Sequence, residues 1–557
     1  MAMQSSPMDV IGIFRERANS LLKEIGVDGE VEYAKPDFGD FTFPCFSLAK
    51  EMKKNPAIIA REIAEKLRDE YFEKIEAIGP YVNFWINPKK LAQMTLDAIL
   101  NGSIFEFPHR GKIIVEHTSA NPTGPLHVGR TRNSIIGDSL ARIMRRYGYD
   151  VEVHYFVNDV GKQVATLLWG VKNLAIVTRE MRGDYKYVAY YQGAYRELEK
   201  NREIEREINE IIWKYERGDE ELRTMARKYV GSILKGIEES LRRINVHFDE
   251  FVWESSLIER AQKVADMLKE HLKEENGAYY IDLKELGIQG KDKLFLFRQD
   301  GTTLYPLRDI AYHLYKGERA RKNVDVLGED HKLHFEAIKK IVNILWDDIE
   351  LNALFYSFVK LPEGKMSTRQ GKVVYLDDLV NEAERRVSEI IRERNYEKDE
   401  EERIIKEVAV AAIRFHILNV QEEKPMTFRW EDALNFEGES GPFVQYTHAR
   451  AASILRKGNW NGRYDASFVS HPEEIKLLKL MAKYQEIIGN AVKNLSPYLV
   501  ARYAYSLASQ FNQFYRDCPV LKAEEGIRDF RLAVVEAFKK IMGDLLELLG
   551  IEAPEKM

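Results

Sequence analysis

Cysteine is nearly absent: Cys45 and Cys518 are the only two in 557 residues. Two thiols can build neither a disulfide framework nor a Cys-rich zinc site, and no structural metal is expected. Long hydrophobic runs are missing too. No window approaches the ~18 uncharged apolar residues that a membrane helix requires, so no membrane partner is expected. The N-terminus, MAMQSSPMDVIGIFRER, lacks a basic stretch followed by an apolar one, which leaves no sign of a signal peptide. A cytoplasmic protein is the expectation. Charge of one sign is not in excess either. The 83 basic and 89 acidic residues leave a net charge of -6, which excludes a globally basic nucleic-acid binder and restricts any polyanion contact to local patches. No internal repeat or low-complexity segment is found.

What is present is a globular composition, 45% hydrophobic and 31% charged, which rules out a disordered or collagen-like chain. At ~150 residues per domain, three or four domains are expected. Residues 1–105 read as a small α/β unit: VIGIFRERANSLLKEIG has helical spacing, VEYAKP is strand-like, PAIIAREIAEKL is helical, and YVNFWIN alternates with Val82, Phe84 and Ile86 on one face. From residue 112 the pattern is strand (KIIVEH), turn cluster (SANPTGP), helix (VGRTRNSIIGDSLARIMRRYG) and strand (VEVHYFV). That is a βαβ unit, which implies a parallel sheet. Residues 165 to about 275 are charged and mostly helical. VDVLGED and LFYSFVKL look like further buried strands, and after about residue 400 everything reads as helix, an all-α bundle. The expected organisation is thus an α/β fold: an N-terminal α/β domain (1–105), a Rossmann-type parallel-sheet domain (106–395) with a helical insertion at about 165–290, and a C-terminal helical bundle (396–557).

Two windows contain basic residues and no acid. Residues 117–137 hold Arg130 and Arg132, and residues 440–464 hold Arg450, Arg456, Lys457 and Arg463. Each is either a solvated face or a local anion-binding patch. The first contains His127-Val128-Gly129-Arg130 at a helix start, where free N–H groups and the positive dipole end attract anions and a glycine permits close approach. It could equally be a turn that merely begins a helix. The second chemical segment is Gly364-Lys365-Met366-Ser367-Thr368-Arg369-Gln370-Gly371. It is either a plain surface loop or a mobile loop able to close on phosphates. Loops at the C-terminal ends of parallel strands share one crevice, so the two segments can meet despite their separation.

Together these segments resemble the paired motifs of class I aminoacyl-tRNA synthetases: HVGR stands at the HIGH-type position and KMSTR at the KMSKS-type position. IVEHTSANPTGPLHVGRTRNSIIGD, DGTTLYPLRDIAYHLYK, GEDHKLHF, FRWEDALNFEGESGPFVQYTHARAASILR and SLASQFNQFYRDCPVL resemble the arginyl-tRNA synthetase family. The resemblance covers essentially the whole chain and is weakest from about 170 to 290. It implies a ligase that activates L-arginine with ATP, Mg²⁺ accompanying the ATP, and then charges the 3′-terminal adenosine of tRNA(Arg). A monomer is expected. By resemblance, His127, Gly129 and Arg130 would hold ATP phosphates, with Lys365 and Ser367 on the departing pyrophosphate. Glu116, Ser119 and Asn121 would surround the α-amino and carboxylate groups of arginine. Asp309 would pair with its guanidinium, with Tyr305 and His331 beside the pocket. Tyr446, Arg450 and Met557 match the anticodon-reading face, and the N-terminal domain matches one that touches the tRNA corner. Two positions depart from the family pattern. Arg130 replaces the second His of the first motif, and Thr368 replaces the second Lys of the second. In family members lacking that Lys, another stands just upstream of the first motif. Here that position is Gly124, so one cation is missing from both places, and Arg369 and Arg130 are its candidate replacements. Two other readings fit parts of the sequence: a different class I nucleotidyl-transfer ligase, and a synthetase-derived RNA-binding protein without catalysis. The helical C-terminal region argues against the first, and intact His127, Lys365 and Asp309 against the second.

Overall fold

In the computed structural model, residues 8–178, 181–290, 292–360, 374–392 and 396–557 are described. The first helix, Val10–Glu24, starts where the Asp9 carboxylate accepts the Gly12 N–H, as helix N-caps do. A four-stranded antiparallel sheet accompanies it, with Phe41–Pro44 and Tyr81–Ile86 in its interior. Val82, Phe84 and Ile86 are buried as their alternation predicts, but Asn83 is buried as well. VEYAKP contributes a two-residue edge strand, Glu32–Tyr33.

The centre of the molecule is a five-stranded parallel sheet: β1 (Lys112–Glu116), β2 (Asp150–Val157), β3 (Glu250–Trp253), β4 (Lys322–Gly328) and β5 (Glu350–Tyr356), in the order β5-β4-β1-β2-β3. The order reverses between β1 and β4, so the loops leaving these two strands part and open a crevice at their C-terminal ends. Helix α1 (Val128–Arg146) follows β1. Gly148, with φ +101°, lies just beyond its end, and a Cβ there would run into the carbonyl oxygen of Pro108. Helix α2 (Tyr305–Arg319) leads into β4.

Two stretches differ from the sequence-based expectation. The charged region does form the helices Lys162–Asn173, Gly183–Lys200, Glu203–Glu216 and Glu220–Arg242, but it also supplies β3 and continues into a three-stranded antiparallel sheet over Leu272–Glu275, Ala278–Asp282 and Lys293–Phe297. Only Val252 of β3 is fully buried, so the strand carries no readable alternation. LFYSFVKL splits in two. The Ser357 N–H turns to the Glu422 carbonyl at 2.9 Å, and Val359–Lys360 then pairs with Met426–Thr427. Among the described residues no helix is long and apolar enough to cross a membrane.

The C-terminal helices include α3 (Lys398–Leu418), α4 (Gly441–Gly458), α5 (Pro497–Asp517) and α6 (Glu525–Leu548). They grip α1 through buried polar groups. Arg414 of α3, fully buried, donates to the carbonyls of Leu549 (2.6 Å) and Ile244 (2.7 Å) and pairs with Asp138 of α1 at 2.7 Å. Those two carbonyls lie just past helix ends, where the backbone lacks intrahelical partners. Ser139 donates to Leu548 O at 2.8 Å, and Arg146 pairs with Asp544. Arg132, also fully buried, donates to the carbonyls of Ser357, Gln421 and Lys424. Without Arg414, Asp138 keeps only the half-buried Arg142 at 2.8 Å and the two buried carbonyls lose their donor, against the ~3–5 kcal/mol that breaking a buried pair costs. Arg414→Met should therefore lower the thermal unfolding midpoint clearly, as read by calorimetry. An unchanged midpoint would contradict this account of the clamp.

Candidate active site

Strand β1 ends in Glu116, and the chain then turns sharply. Thr118 (φ +68°) and Ser119 (φ +40°) occupy the left-handed region, where residues other than glycine are strained and need support from their surroundings. The support is polar: Thr118 N–H donates to Asn133 Oδ1 at 2.5 Å, Ser119 Oγ donates to Glu116 Oε1 at 3.0 Å, and Phe156 N–H donates to Ser119 Oγ at 3.1 Å. The turn opens a cavity of about 360 Å³ between β1 and β4. Glu116, Ser119, Asn121, Arg130, Tyr305 and His331 line it, together with Glu254 and Arg308. Six of the residues singled out from sequence thus line one cavity.

At the start of α1, His127 is the N-cap, and its Nδ1 accepts the Gly129 N–H at 2.9 Å. A neutral imidazole that accepts at Nδ1 carries its proton on Nε2, so His127 presents a donor to the crevice. Burial, and then Arg130, lower its pKa, which keeps it neutral. A Cβ on Gly129 would sit 3.0 Å from that Nδ1, so glycine suits the position. Among the described residues the Arg130 guanidinium has no ion-pair partner. It borders both the large cavity and an adjoining one of about 270 Å³, lined also by Gly124, His127 and Tyr375. Lys365 and Ser367, like Thr368 and Arg369, lie outside the described residues. The residues that follow them are anchored here: Val128 N–H donates to Val374 O (3.0 Å) and Leu376 N–H to Leu126 O (2.9 Å). The chain leaving the second motif therefore runs alongside the first.

Asp309 is buried on α2, behind Tyr305 and off the cavity wall. Its Oδ2 accepts from His334 Nε2 at 2.7 Å, while His313 Nδ1 donates to the Asp309 backbone carbonyl at 2.8 Å and stands 3.2 Å from its Oδ1. His313 Nε2 donates to Asp325 at 2.7 Å, and Lys316 Nζ donates to Asp325 at 2.6 Å and to Glu116 at 3.0 Å. With an acceptor on each ring nitrogen, His313 must carry both protons. Burial and Lys316 oppose that charge, but Asp325 and Asp309 outweigh them and push its pKa up to about 10. Burial would raise the Asp309 carboxyl, yet His313 and His334 hold it well below the usual range. Glu254, bonded to Arg308 at 2.6 Å, is pushed up to about 7 by burial. Sequence reading missed His313, Lys316, Asp325, His334, Glu254 and Arg308. A signal existed for three of them. Asp309, His313 and Lys316 recur at helical spacing on one face, and Asp325 is a lone charge within the apolar run VDVLG.

Three family models divide the chain: "Arginyl tRNA synthetase N terminal domain" over residues 10–86, "tRNA synthetases class I (R), catalytic domain" over 95–430, and "DALR anticodon binding domain" over 444–557. The arginine–tRNA ligase of Methanocella arvoryzae is 44% identical over 92% of both chains, and that of Archaeoglobus fulgidus is 40% identical over 98% of this chain and all of its own. The chain belongs to the arginyl-tRNA synthetase family. The solved arginyl-tRNA synthetase of Thermus thermophilus is 30% identical and superposes with a TM-score of 0.83 over 98% of this chain and all of its own.

In this synthetase, Tyr446 and Arg450 lie one turn apart on α4, with the guanidinium carbon 4.9 Å from the ring centroid and Arg450 also donating to Asn512 at 2.7 Å. The C-terminal tail runs along the same helix. Gln445 donates to Glu552 O (2.9 Å) and Arg456 to Glu555 O (3.0 Å), while His448 Nδ1 meets Pro554 O at 3.0 Å. That course carries Met557, half-buried at the chain end, past α4. Glu152, His154 and Glu250 converge closely enough to suggest a cation site, but Lys112 and Arg319 already pair with these carboxylates.

The charge on His313 can be checked. A histidine whose folded pKa is raised adds stability that is full below its unfolded value near ~6.5 and is lost as pH climbs through about 10. NMR of ¹⁵N-histidine-labelled protein should show one doubly protonated ring persisting at about pH 8 and disappearing in His313→Gln. A neutral ring at that pH would remove the imidazolium from the network.

Proposed function

We infer that this chain is an arginine–tRNA ligase: it joins L-arginine to ATP, forming arginyl-adenylate and pyrophosphate, and passes the arginine to the 3′-terminal adenosine of tRNA(Arg). The observation that carries the reading is the adjacency, in one crevice, of an acid-bearing cavity and a cation-bearing helix start. The cavity suits a substrate with a cation at each end. The helix start suits the polyphosphate.

In the first step the arginine carboxylate attacks the α-phosphorus of ATP, and the bond to the pyrophosphate oxygen breaks. Such chemistry depends on positioning and charge neutralisation more than on covalent help. The Nε2–H of His127 faces the phosphates, Gly129 lets them approach by having no side chain, Mg²⁺ enters with ATP as a substrate ion, and Lys365 and Ser367 hold the leaving pyrophosphate. Arg130 supplies the cation that the motifs otherwise lack. A side chain at Gly124 would meet Val188 at 2.7 Å, whereas the Arg130 guanidinium borders the cavity and has no ion-pair partner among the described residues. Glu116 takes the α-ammonium, with Ser119 and Asn121 alongside, and His331 closes the pocket mouth. The guanidinium enters beside Tyr305 and reaches Asp309 by taking the place of the His334 N–H, with Glu254 as a second carboxylate. A planar, charged fork is what a carboxylate binds best. An aromatic beside a cation on α4 suits an unpaired base and its phosphate, so Tyr446, Arg450 and Met557 are the anticodon contacts. The division into a tRNA-contacting domain (1–105), a catalytic domain (106–395) and an anticodon-binding domain (396–557), a monomeric state and a cytoplasmic location complete the reading.

Arginine-dependent exchange of pyrophosphate into ATP should require tRNA, and robust exchange without it would count against tRNA-dependent activation. Lys365→Ala and Arg130→Ala should each slow activation by roughly two to three decades, the ~3–4 kcal/mol of a lost transition-state donor, with arginine affinity little changed. Near-normal activation in Arg130→Ala would move the missing cation to Arg369. Asp309→Ala and Asp309→Asn should each lower kcat/KM for arginine at least ~100-fold while tRNA binding stays normal. Wild-type arginine kinetics in these variants would disprove the role.

A further inference from the structure

Strand register aligns Asp325, Glu116 and His154 side by side across β4, β1 and β2. Adjacent carboxylates in one row repel, and both ionise only with a cation between them. Lys316 of α2 is that cation. It is fully buried, it donates to Glu116 and Asp325, and its third side faces the Tyr312 ring at 4.5 Å. One turn earlier, His313 continues the chain from Asp325 to Asp309. Ionic hydrogen bonds therefore run from Glu116, on the cavity wall, through Lys316 and Asp325 to His313, whose Nδ1 bonds the Asp309 backbone carbonyl at 2.8 Å and stands 3.2 Å from the Asp309 carboxylate as an ion pair. Three carboxylates share two cations, so the buried line is formally one positive charge short.

We propose that Lys316 is a positioning residue that links the two ends of the arginine pocket, fixing Glu116 for the α-ammonium directly and Asp309 for the guanidinium through Asp325 and His313. This rests on the pocket assignment made above. Buried hydrogen-bonded chains act as units, because each member orients and polarises the next. If Lys316 is removed, Glu116 and Asp325 cannot both remain ionised in one orientation. Glu116 then loses its aim, and His313 loses a fixed partner on the side away from Asp309. Arg319, one turn further along α2, pairs with Glu152 and Glu250 at the exposed end of the sheet. It lies outside the line from Glu116 to Asp309 and serves as the control.

The test uses the full-length enzyme with tRNA and compares Lys316→Met, the double variant Lys316→Met/Asp325→Asn, which preserves the formal charge of the buried line, and Arg319→Met. Arginine KM, ATP KM and kcat are measured, together with inhibition by two half-ligands: L-norvaline for the α-amino-acid end and n-propylguanidine for the cationic end. Both Lys316 variants should raise arginine KM by at least ~30-fold, as expected when a buried charge loses its partner, with ATP KM and tRNA affinity within about twofold. Inhibition by both half-ligands should weaken, and Arg319→Met should change none of these. Weakened inhibition by L-norvaline alone would overturn the linkage and leave Lys316 as the counterion of Glu116. An unchanged arginine KM in the double variant would overturn the positioning role. Glu116→Gln and Asp309→Asn with wild-type arginine KM would remove the pocket assignment itself, and the proposal with it. Both impaired beside normal Lys316 variants would remove the proposal alone.

Discussion

Helix α1 holds its N-terminus at the crevice because buried charge fixes it along its length. Arg414 and Arg132 are both fully buried, yet neither is left without partners, since helix-end and loop carbonyls and the Asp138 carboxylate receive them. A buried guanidinium that loses an acceptor is costly, so these contacts hold α1 in one position relative to the C-terminal helices. The helix that begins with His127 is thus mechanically part of the same body as α3 and the end of α6.

The crevice divides its electrostatics sharply. Beneath the cavity, acids and bases are paired into a nearly neutral buried line, with oriented carboxylates at Glu116 and Asp309. At the helix start the opposite holds: the Arg130 guanidinium has no ion-pair partner among the described residues, and His127 is kept neutral with its donor facing out. A neutral imidazole can donate to an anion without adding charge, and Arg130 beside it carries the positive charge of the helix start. Gly124 fits the same logic. Packing of Val188 against it leaves no room for a side chain.

Much was legible before the structure. The βαβ pattern from residue 112, the paired motifs and the all-α end follow from periodicity, turn residues and spacing, and all are local properties of the chain. Glu116, Ser119, Asn121, Tyr305 and His331 meet in one cavity because strand ends and helix starts converge there. Less legible were β3, where one buried valine gives no pattern, and the break after β5, which exists because the Ser357 N–H finds a partner 65 residues later.

The chain's own order of residues determined the class of fold, the two motifs and the identity of the polar groups, since helical and strand spacing and short-range turn chemistry act over a few residues. Tertiary structure decided which charges neutralise one another. Lys316 and Glu116 are 200 residues apart, and Arg414 and Asp138 are 276 apart. Nothing local marks them as partners, because the low dielectric that makes each pairing obligatory comes into being only when the sheet, α2 and the C-terminal helices close around them.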